Sequence, residues 1–209
     1  MIAIIDYDAG NLRSVAKALE RAGEKPLITC DAQTILNSQA VVLPGVGAFS
    51  DCMNSLVSKG MDKVVKACFE MKKPFLGICL GYQMLFEYSF EHAQGTNGIP
   101  GLGIFKGSVK RFPESAELKV PHMGWNTLKF AKASPFFEGL DTETYVYFVH
   151  SYYVDAEDRS LVAATCDYGI TFDAAIAGDH FLAMQFHPEK SGDVGFKLLS
   201  NFLKVVKGS

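Results

Sequence analysis

The chain lacks the features that define several common classes of protein. Its five cysteines form no C-x-x-C pair and are odd in number, which argues against a disulfide framework and against a structural zinc site. No Lys/Arg cluster offers a footprint for phosphates, and the net charge of -3 favours neither nucleic acid nor an anionic membrane. No apolar run approaches the roughly 20 residues of a membrane span, and the first residues lack the basic segment of a signal peptide. We therefore expect a cytoplasmic protein that holds no metal ion and no cofactor.

The order of apolar segments predicts a single α/β domain over all 209 residues. In the first part of the chain, strands are expected at 1–7, 26–29, 41–43 and 75–78, and helices at 11–22 and 50–71, the second broken near Gly60. Asn11 is expected to cap the first helix. Regular alternation of strand and helix predicts a parallel sheet wound by right-handed crossovers.

Beyond residue 95 the pattern contains more strand than helix. Strands are expected at 103–112, 145–154, 161–166, 172–177 and 181–186, with a hairpin turn at Gly178-Asp179 and a closing helix at 194–206. We therefore predict an open, mixed, mostly parallel sheet flanked by helices, with antiparallel strands in the C-terminal half.

The segment Pro74–Gln83 contains the first indication of chemistry. An apolar run leads to Cys79, which lies midway between Gly77 and Gly81, and a helix is expected over 82–88. The glycines permit a sharp turn that exposes the side chain at the bend, as in the nucleophile elbow of hydrolases. Cys79 is therefore either a nucleophile or a buried core thiol, as most free cysteines are.

A base and an orienting carboxylate occur together near the C-terminus. His187 follows the apolar segment 181–186 and precedes Pro188 and Glu189. Open α/β sheets bind ligands at the carboxyl ends of their strands, and Glu189 is close enough in sequence to fold back onto the imidazole. Cys79, His187 and Glu189 then provide a nucleophile, a base and an orienting group. The alternative for His-Pro-Glu alone is a plain turn.

The segment Pro44-Gly45-Val46-Gly47, after the third strand, predicts a site for an oxyanion. Glycine on both sides of Val46 allows its N–H several orientations, and Leu80, the residue after Cys79, would supply a second N–H. The segment lacks the spacing and the Gly-Lys-Ser/Thr ending of phosphate-binding loops, so we do not expect phosphate there. A plain turn is the structural alternative.

Together the three motifs resemble those of the class I (triad) glutamine amidotransferases. The resemblance is carried by residues 44–47, 77–83 and 187–189. It implies that Cys79 attacks the side-chain amide of glutamine, that His187 protonates the leaving ammonia, and that water then hydrolyses a glutamyl thioester. It also implies that five residues hold the glutamine: Gly47, Gln83, His150, Ser151 and Tyr152. From the residues alone, 150–152 is a strand with an aromatic core side.

The resemblance also implies a partner, because this chain has no room for a domain that would use the ammonia. Segments 4–12 and 120–126 resemble the glutaminase subunits of histidine biosynthesis, which implies a heterodimer with a (β/α)₈-barrel cyclase. The interface candidates are Asn11, Arg13, Met123, Trp125, Asn126 and Lys190. Trp125 is the expected anchor, and a core tryptophan is the alternative.

Three other functions remain open on the sequence. The chain could be a glutaminase subunit for an acceptor of the anthranilate or aminodeoxychorismate type. It could be a stand-alone γ-glutamyl or peptide hydrolase with the same triad, which would need no partner. It could also be a binding module without catalysis.

Overall fold

The computed structural model describes residues 1–93, 97–113, 118–141 and 143–208. The α-helices are α1 Leu12–Arg21, α2 Ala32–Asn37, α3 Phe49–Ser58, α4 Met61–Glu70, α5 Leu80–Gln83 and α6 Gly192–Lys207. The strands are β1 Ile2–Ile5, β2 Leu27–Thr29, β3 Ala40–Gly45, β4 Phe75–Cys79, β5 Phe86–Ser89, β6 Ile99–Pro100, β7 Phe105–Arg111, β8 His122–Thr127, β9 Lys129–Phe130, β10 Tyr145–His150, β11 Tyr152–Ala156, β12 Val162–Tyr168, β13 Ile170–Ala177 and β14 Phe181–Met184. Short 3₁₀ helices span Pro135–Phe137, Arg159–Leu161 and Pro188–Lys190.

Most strands belong to one mixed sheet, in the order β2-β1-β3-β4-β14-β13-β11-β7-β5-β6, with β12 and β9 attached beside β13. The strands from β2 to β14 run parallel. From β14 through β13 and β11 to β7, neighbours run antiparallel. The predicted mixed sheet with antiparallel strands in the C-terminal half is confirmed.

The core lies on both faces of the parallel strands. In β1, Ile2 and Ile4 belong to one buried cluster and Ala3 and Ile5 to the other. Helices α1 and α6 cover the first face, and α2, α3 and α4 cover the second. A strand buried on both faces reads as a continuous apolar run, which is why the sequence reveals β1. Within the described residues, no helix combines the length and apolar character needed to cross a bilayer.

The predicted break in the helix over 50–71 is present. Helix α3 ends at Ser58 and α4 begins at Met61, with Gly60 between them at φ 68°. Glycine adopts this left-handed conformation without a Cβ clash. Asn11 is the N-cap residue of α1, but its side chain makes no capping hydrogen bond.

The predicted helix over 82–88 is wrong beyond Gln83. Helix α5 ends at Gln83, and β5 begins at Phe86 and pairs with β6 and β7. Phe86 and Ser89 are buried in this arrangement. Pairing with strands distant in sequence therefore outweighs the local helical pattern.

The predicted single strand over 145–154 is in fact two strands. β10 ends at His150 and pairs with β8 in a separate two-stranded sheet. At Ser151 the backbone carbonyl accepts a hydrogen bond from the N–H of Phe112, and β11 then pairs with β7 of the main sheet. The chain therefore changes sheets at Ser151, beside the site described next.

Candidate active site

Cys79 lies at the end of β4 in a strained backbone conformation, with φ 55° and ψ −112°. Such angles are rare for a residue with a side chain and are found preferentially at functional sites. Glycine on each side makes the turn possible. A Cβ on Gly81 would lie 1.9 Å from the carbonyl oxygen of Leu43, and one on Gly77 would lie 3.0 Å from Cβ of Ala183. The elbow therefore packs directly against the neighbouring strands.

His187 lies three residues beyond the end of β14 rather than directly at its end, and it is buried. Its Nδ1 is 2.8 Å from Oε1 of Glu189, whose side chain is buried as well. The N–H of His187 donates to the carbonyl of Tyr147 at 3.0 Å, and its carbonyl accepts from Oγ of Ser191 at 2.6 Å. Backbone and ring are thus both fixed by hydrogen bonds.

The charge state of His187 follows from its neighbours. Burial lowers the pKa of the imidazole, but the interactions with the neighbouring Cys79 and Glu189 outweigh burial and raise the pKa to about 10. The Nε2 atom is buried and makes no hydrogen bond of ordinary geometry with the described residues. Catalytic contacts of this kind commonly tighten only when substrate binds. The arrangement favours a protonated His187 beside the sulfur of Cys79.

Cys79 and His187 open into one cavity of about 430 Å³. This volume falls within the range of small-molecule sites, roughly 300–1,000 Å³. The candidate oxyanion residues Val46 and Leu80 line the cavity, as does Gly47. A depression of about 760 Å³ lies at residues 130–140, but its described lining contains neither a cysteine nor a histidine. The smaller cavity is therefore the candidate active site.

The residues expected to hold glutamine line the same cavity, namely Gly47, Gln83, His150, Ser151 and Tyr152. The Gln83 amide donates to the carbonyl of Tyr152 at 3.0 Å and to Oε1 of Gln185 at 2.7 Å. Nε2 of Gln185 is 3.7 Å from Sγ of Cys79. Side chains from α5 and from the residue that follows β14 thus form one hydrogen-bonded group that reaches the sulfur.

Sequence reasoning missed two polar residues at this site. Gln185 is fully buried, and the signal was a glutamine inside an otherwise apolar segment. Glu91 lines the cavity and accepts a hydrogen bond from the N–H of Phe49 at 2.5 Å. No local pattern marks Glu91, because its contact depends on a residue that is distant in sequence.

A pair of buried histidines extends from the cavity into the interior. His150 Nδ1 is 2.8 Å from the carbonyl of Tyr152, and a carbonyl only accepts, so this nitrogen carries the proton. In neutral rings, His150 Nε2 then accepts from Nδ1 of His122 at 3.0 Å, and His122 Nε2 accepts from the Asn126 amide at 3.2 Å. Burial lowers the pKa of His150 to about 3 and that of His122 to about 4. Both rings are therefore neutral donors at neutral pH.

The residues predicted to face a partner differ in exposure. Met123 is 61% exposed and Trp125 is 55% exposed, so Trp125 is not a core tryptophan. Arg13 and Lys190 are exposed, whereas Asn11 and Asn126 are half-buried. The Trp125 ring lies edge-to-face with Tyr147, and the ammonium of Lys190 lies over the Tyr147 ring. This aromatic group adjoins the base, because Tyr147 also holds the backbone of His187.

No group of three or more potential metal ligands occurs among the residues that the structure describes. The chemistry available to the cavity is that of a thiol, an imidazole, a carboxylate and backbone N–H groups. This set suits nucleophilic attack on a carbonyl carbon with general acid–base assistance.

Comparison with known proteins gives the family to which this chain belongs. The sequence profile of the family Glutamine amidotransferase class-I matches residues 3–206. The chain therefore belongs to the class-I glutamine amidotransferase family. Its relatives include the "Imidazole glycerol phosphate synthase subunit HisH" of Thermosynechococcus vestitus, which is 54% identical over 208 residues covering 99% of this chain and 97% of the relative. The protein of the same name from Caldanaerobacter subterraneus is 49% identical over 207 residues, covering 99% of each chain.

Solved structures agree on the fold. A "Crystal structure of glutamine amidotransferase" matches with a TM-score of 0.75 at 20% identity and covers 99% of this chain and 100% of the other. At this identity the likeness shows the mixed α/β fold alone.

Proposed function

We propose that this chain is the glutaminase subunit of an imidazole glycerol phosphate synthase and hydrolyses L-glutamine to glutamate and ammonia. The observation that carries the proposal is the position of Cys79, at a strained elbow, in one cavity with His187 and its partner Glu189. Membership of the amidotransferase family and the name of the relatives support it. In this proposal the whole chain acts as one glutamine amidotransferase domain.

The first step forms a carbon–sulfur bond. His187 takes the thiol proton as the Cys79 sulfur attacks the side-chain amide carbon. The amide oxygen becomes an oxyanion, to which the N–H groups of Val46 and Leu80 donate. Loss of one such donor typically lowers kcat by about 10²–10³-fold, so these donors carry much of the rate.

The second step breaks the carbon–nitrogen bond. His187 gives its proton to the nitrogen, ammonia leaves, and a glutamyl thioester remains on Cys79. The neutral imidazole then takes a proton from water, whose oxygen attacks the thioester. Glutamate leaves and the thiol is restored. Glu189 keeps the imidazole oriented through Nδ1 and stabilises its protonated form.

The cavity provides contacts for both ends of glutamine. Gly47, Gln83, His150, Ser151 and Tyr152 are the proposed binding residues. Glu91 adds a carboxylate at the same cavity, opposite in charge to the α-ammonium group of glutamine. The N–H of Phe49 donates a hydrogen bond to this carboxylate and helps to fix its position in the cavity.

The ammonia needs an acceptor, and the relatives are named as subunits of a synthase. We propose a heterodimer with a (β/α)₈-barrel cyclase, which would use the ammonia to make imidazole glycerol phosphate and aminoimidazole carboxamide ribonucleotide in histidine biosynthesis. Asn11, Arg13, Met123, Trp125, Asn126 and Lys190 are the proposed contacts. Trp125 and Met123 expose large apolar side chains, which suits an interface. All five cysteines are free, and a cytoplasmic location suits such thiols.

The test compares glutamine hydrolysis by the wild-type chain and by Cys79→Ala, with and without the cyclase subunit. Wild type with the cyclase should release glutamate, and Cys79→Ala should show no activity above background. Cys166→Ala is the matched control, because it removes another buried thiol in β12, away from the cavity. Peptide mass spectrometry after an acid quench should find the glutamyl adduct on Cys79.

Other outcomes would exclude the proposal. Turnover of γ-glutamyl peptides as fast as glutamine, without the cyclase, would indicate a stand-alone hydrolase. Full activity of Cys79→Ala would remove this residue from the mechanism.

A further inference from the structure

Two side chains outside the proposed catalytic machinery hold the segment Pro44–Gly47 from the interior. Tyr7 lies just beyond β1, is fully buried, and donates its hydroxyl proton to the carbonyl of Pro44 at 2.6 Å. Cys52 lies in α3 and donates its thiol proton to the carbonyl of Val46, with Sγ and the oxygen 3.2 Å apart. Both carbonyls belong to the segment that carries the proposed oxyanion donor.

The two hydrogen bonds lie on either side of one peptide unit. The carbonyl of Pro44 belongs to the peptide before Gly45, and the carbonyl of Val46 belongs to the peptide before Gly47. The unit between them joins Gly45 to Val46 and carries the Val46 N–H. We propose that Tyr7 and Cys52 are positioning residues that set the direction of this N–H toward the oxyanion. The inference rests on the proposed glutaminase function.

Gly45 fills the space between Tyr7 and the elbow. A Cβ on Gly45 would lie 2.9 Å from Oη of Tyr7 and 2.7 Å from the backbone nitrogen of Gly81. Real Cβ atoms essentially never approach so closely, so only glycine fits here. The backbone at Gly45 is therefore packed directly between the Tyr7 hydroxyl and the elbow that carries the nucleophile.

Donation requires that both groups keep their protons. Burial raises the pKa of the Tyr7 phenol and also that of the Cys52 thiol. The two groups are neighbours, and each donates its single proton to a carbonyl of the loop. Ser55, also in α3, donates to the carbonyl of Tyr7. Helix α3 and the end of β1 thus form one support beneath the loop.

The experiment measures kcat and KM for L-glutamine in the complex with the cyclase subunit. Cys52→Ala should lower kcat about fivefold and change KM less than twofold, because a misdirected donor affects the transition state more than substrate binding. Cys52→Ser keeps a proton donor and should stay within about twofold of wild type. Tyr7→Phe keeps the ring but loses the hydroxyl, and should lower kcat about tenfold.

Two controls separate positioning from general loosening. Cys68→Ala removes a thiol of α4 that is buried in the same core cluster without touching the loop, and it should leave kcat unchanged. Alkylation of Cys79 by iodoacetamide forms no oxyanion, so its rate should be the same in wild type, Cys52→Ala and Tyr7→Phe. Thermal melting of each variant checks that the fold is retained.

The outcomes distinguish this inference from the function on which it rests. Equal kcat for Cys52→Ala and wild type would overturn the role of Cys52, and equal loss in Cys52→Ala and Cys68→Ala would indicate a packing effect instead. A parallel fall in Cys79 alkylation would also contradict positioning of the N–H. No glutamine hydrolysis by the wild-type complex would overturn the proposed function, and this role with it.

Discussion

The nucleophile and the base of the proposed catalytic pair are positioned by different kinds of interaction. Cys79 has φ 55° and ψ −112°, and its position depends on backbone packing against the neighbouring strand. His187 has an ordinary extended conformation, with φ −99° and ψ 100°. Its position depends on hydrogen bonds to Tyr147, Glu189 and Ser191. The position of Cys79 is therefore determined by steric exclusion, and the position of His187 by a network of hydrogen bonds.

The difference determines how each side should respond to change. Close packing of backbone on backbone leaves no way to accommodate an added atom, so a substitution there has a large effect. A hydrogen-bond network loses strength one contact at a time, and it also depends on protonation. A single substitution at the Cys79 elbow should therefore abolish activity. Substitutions around His187 should instead lower activity in smaller steps and make it respond to pH.

The largest effect is expected from Gly81→Ala, which tests whether close packing determines the position of Cys79. Its Cβ would lie 1.9 Å from the carbonyl oxygen of Leu43. Because a backbone group must move, we expect a loss of unfolding free energy on the order of 4 kcal/mol or more and loss of glutaminase activity. Chemical denaturation and the glutamate assay would measure both.

Gly60→Ala is the matched control, since Gly60 has φ 68° but none of the described atoms would lie within 4 Å of the added Cβ. Its free energy of unfolding should fall only by the cost of holding a side chain in the left-handed conformation, about 1–2 kcal/mol. If both glycine variants were equally stable, steric exclusion at the elbow would not explain the placement of Cys79.

A smaller effect is expected from Glu189→Gln, which tests the hydrogen-bond network around His187. The amide keeps the shape of the side chain but removes the charge that helps to raise the pKa of His187. We expect kcat for glutamine to fall on the order of 100-fold in the glutamate assay, in a variant that still unfolds cooperatively. Glu20→Gln, on the exposed surface of α1, is the control. A kcat equal to wild type would mean that the carboxylate does not support the base.

The two modes of placement also explain what the sequence reveals. Steric requirements of the backbone appear as glycine at fixed spacing, so Gly77 and Gly81 mark the elbow, and short continuous apolar runs mark β1, β3 and β4. The pairing of His187 with Glu189 is visible because the two are close in sequence. These parts of the site are predictable because their determinants are local.

Interactions between distant segments are not visible in the same way. The end of α5 at Gln83 depends on pairing of β5 with β7, and the break at Ser151 depends on Phe112. Glu91 reaches the cavity through a contact with Phe49. Tyr7 and Cys52 have the sequence pattern of ordinary core residues, and only their contacts with the loop distinguish them.

The smallest effect concerns pH and the histidine pair behind the base. Burial lowers the pKa of His150 to about 3 and of His122 to about 4, below the usual value of about 6.5 in an unfolded chain. Their contribution to stability is present above pH 6.5 and is lost as the pH falls from 6.5 toward 4, because the unfolded chain binds protons first. The pKa of His187 is raised in the folded chain, so its contribution to stability is present below pH 6.5 and is lost as the pH rises above 6.5.

The substitution His150→Gln removes one of the titrating groups that make stability depend on pH. Glutamine retains a donor for the carbonyl of Tyr152 but does not titrate, so the slope of unfolding free energy against pH between 6.5 and 4.5 should decrease by up to about 1.4 kcal/mol per pH unit. Tyr168→Phe, which alters a ring stacked on His122 without removing a group that titrates in acid, should keep the wild-type slope. Denaturant titrations at several pH values measure both. An unchanged slope in His150→Gln would show that His150 is not kept neutral by burial. The hydrogen-bonded histidines would then be no more sensitive to acid than the packed elbow at Cys79.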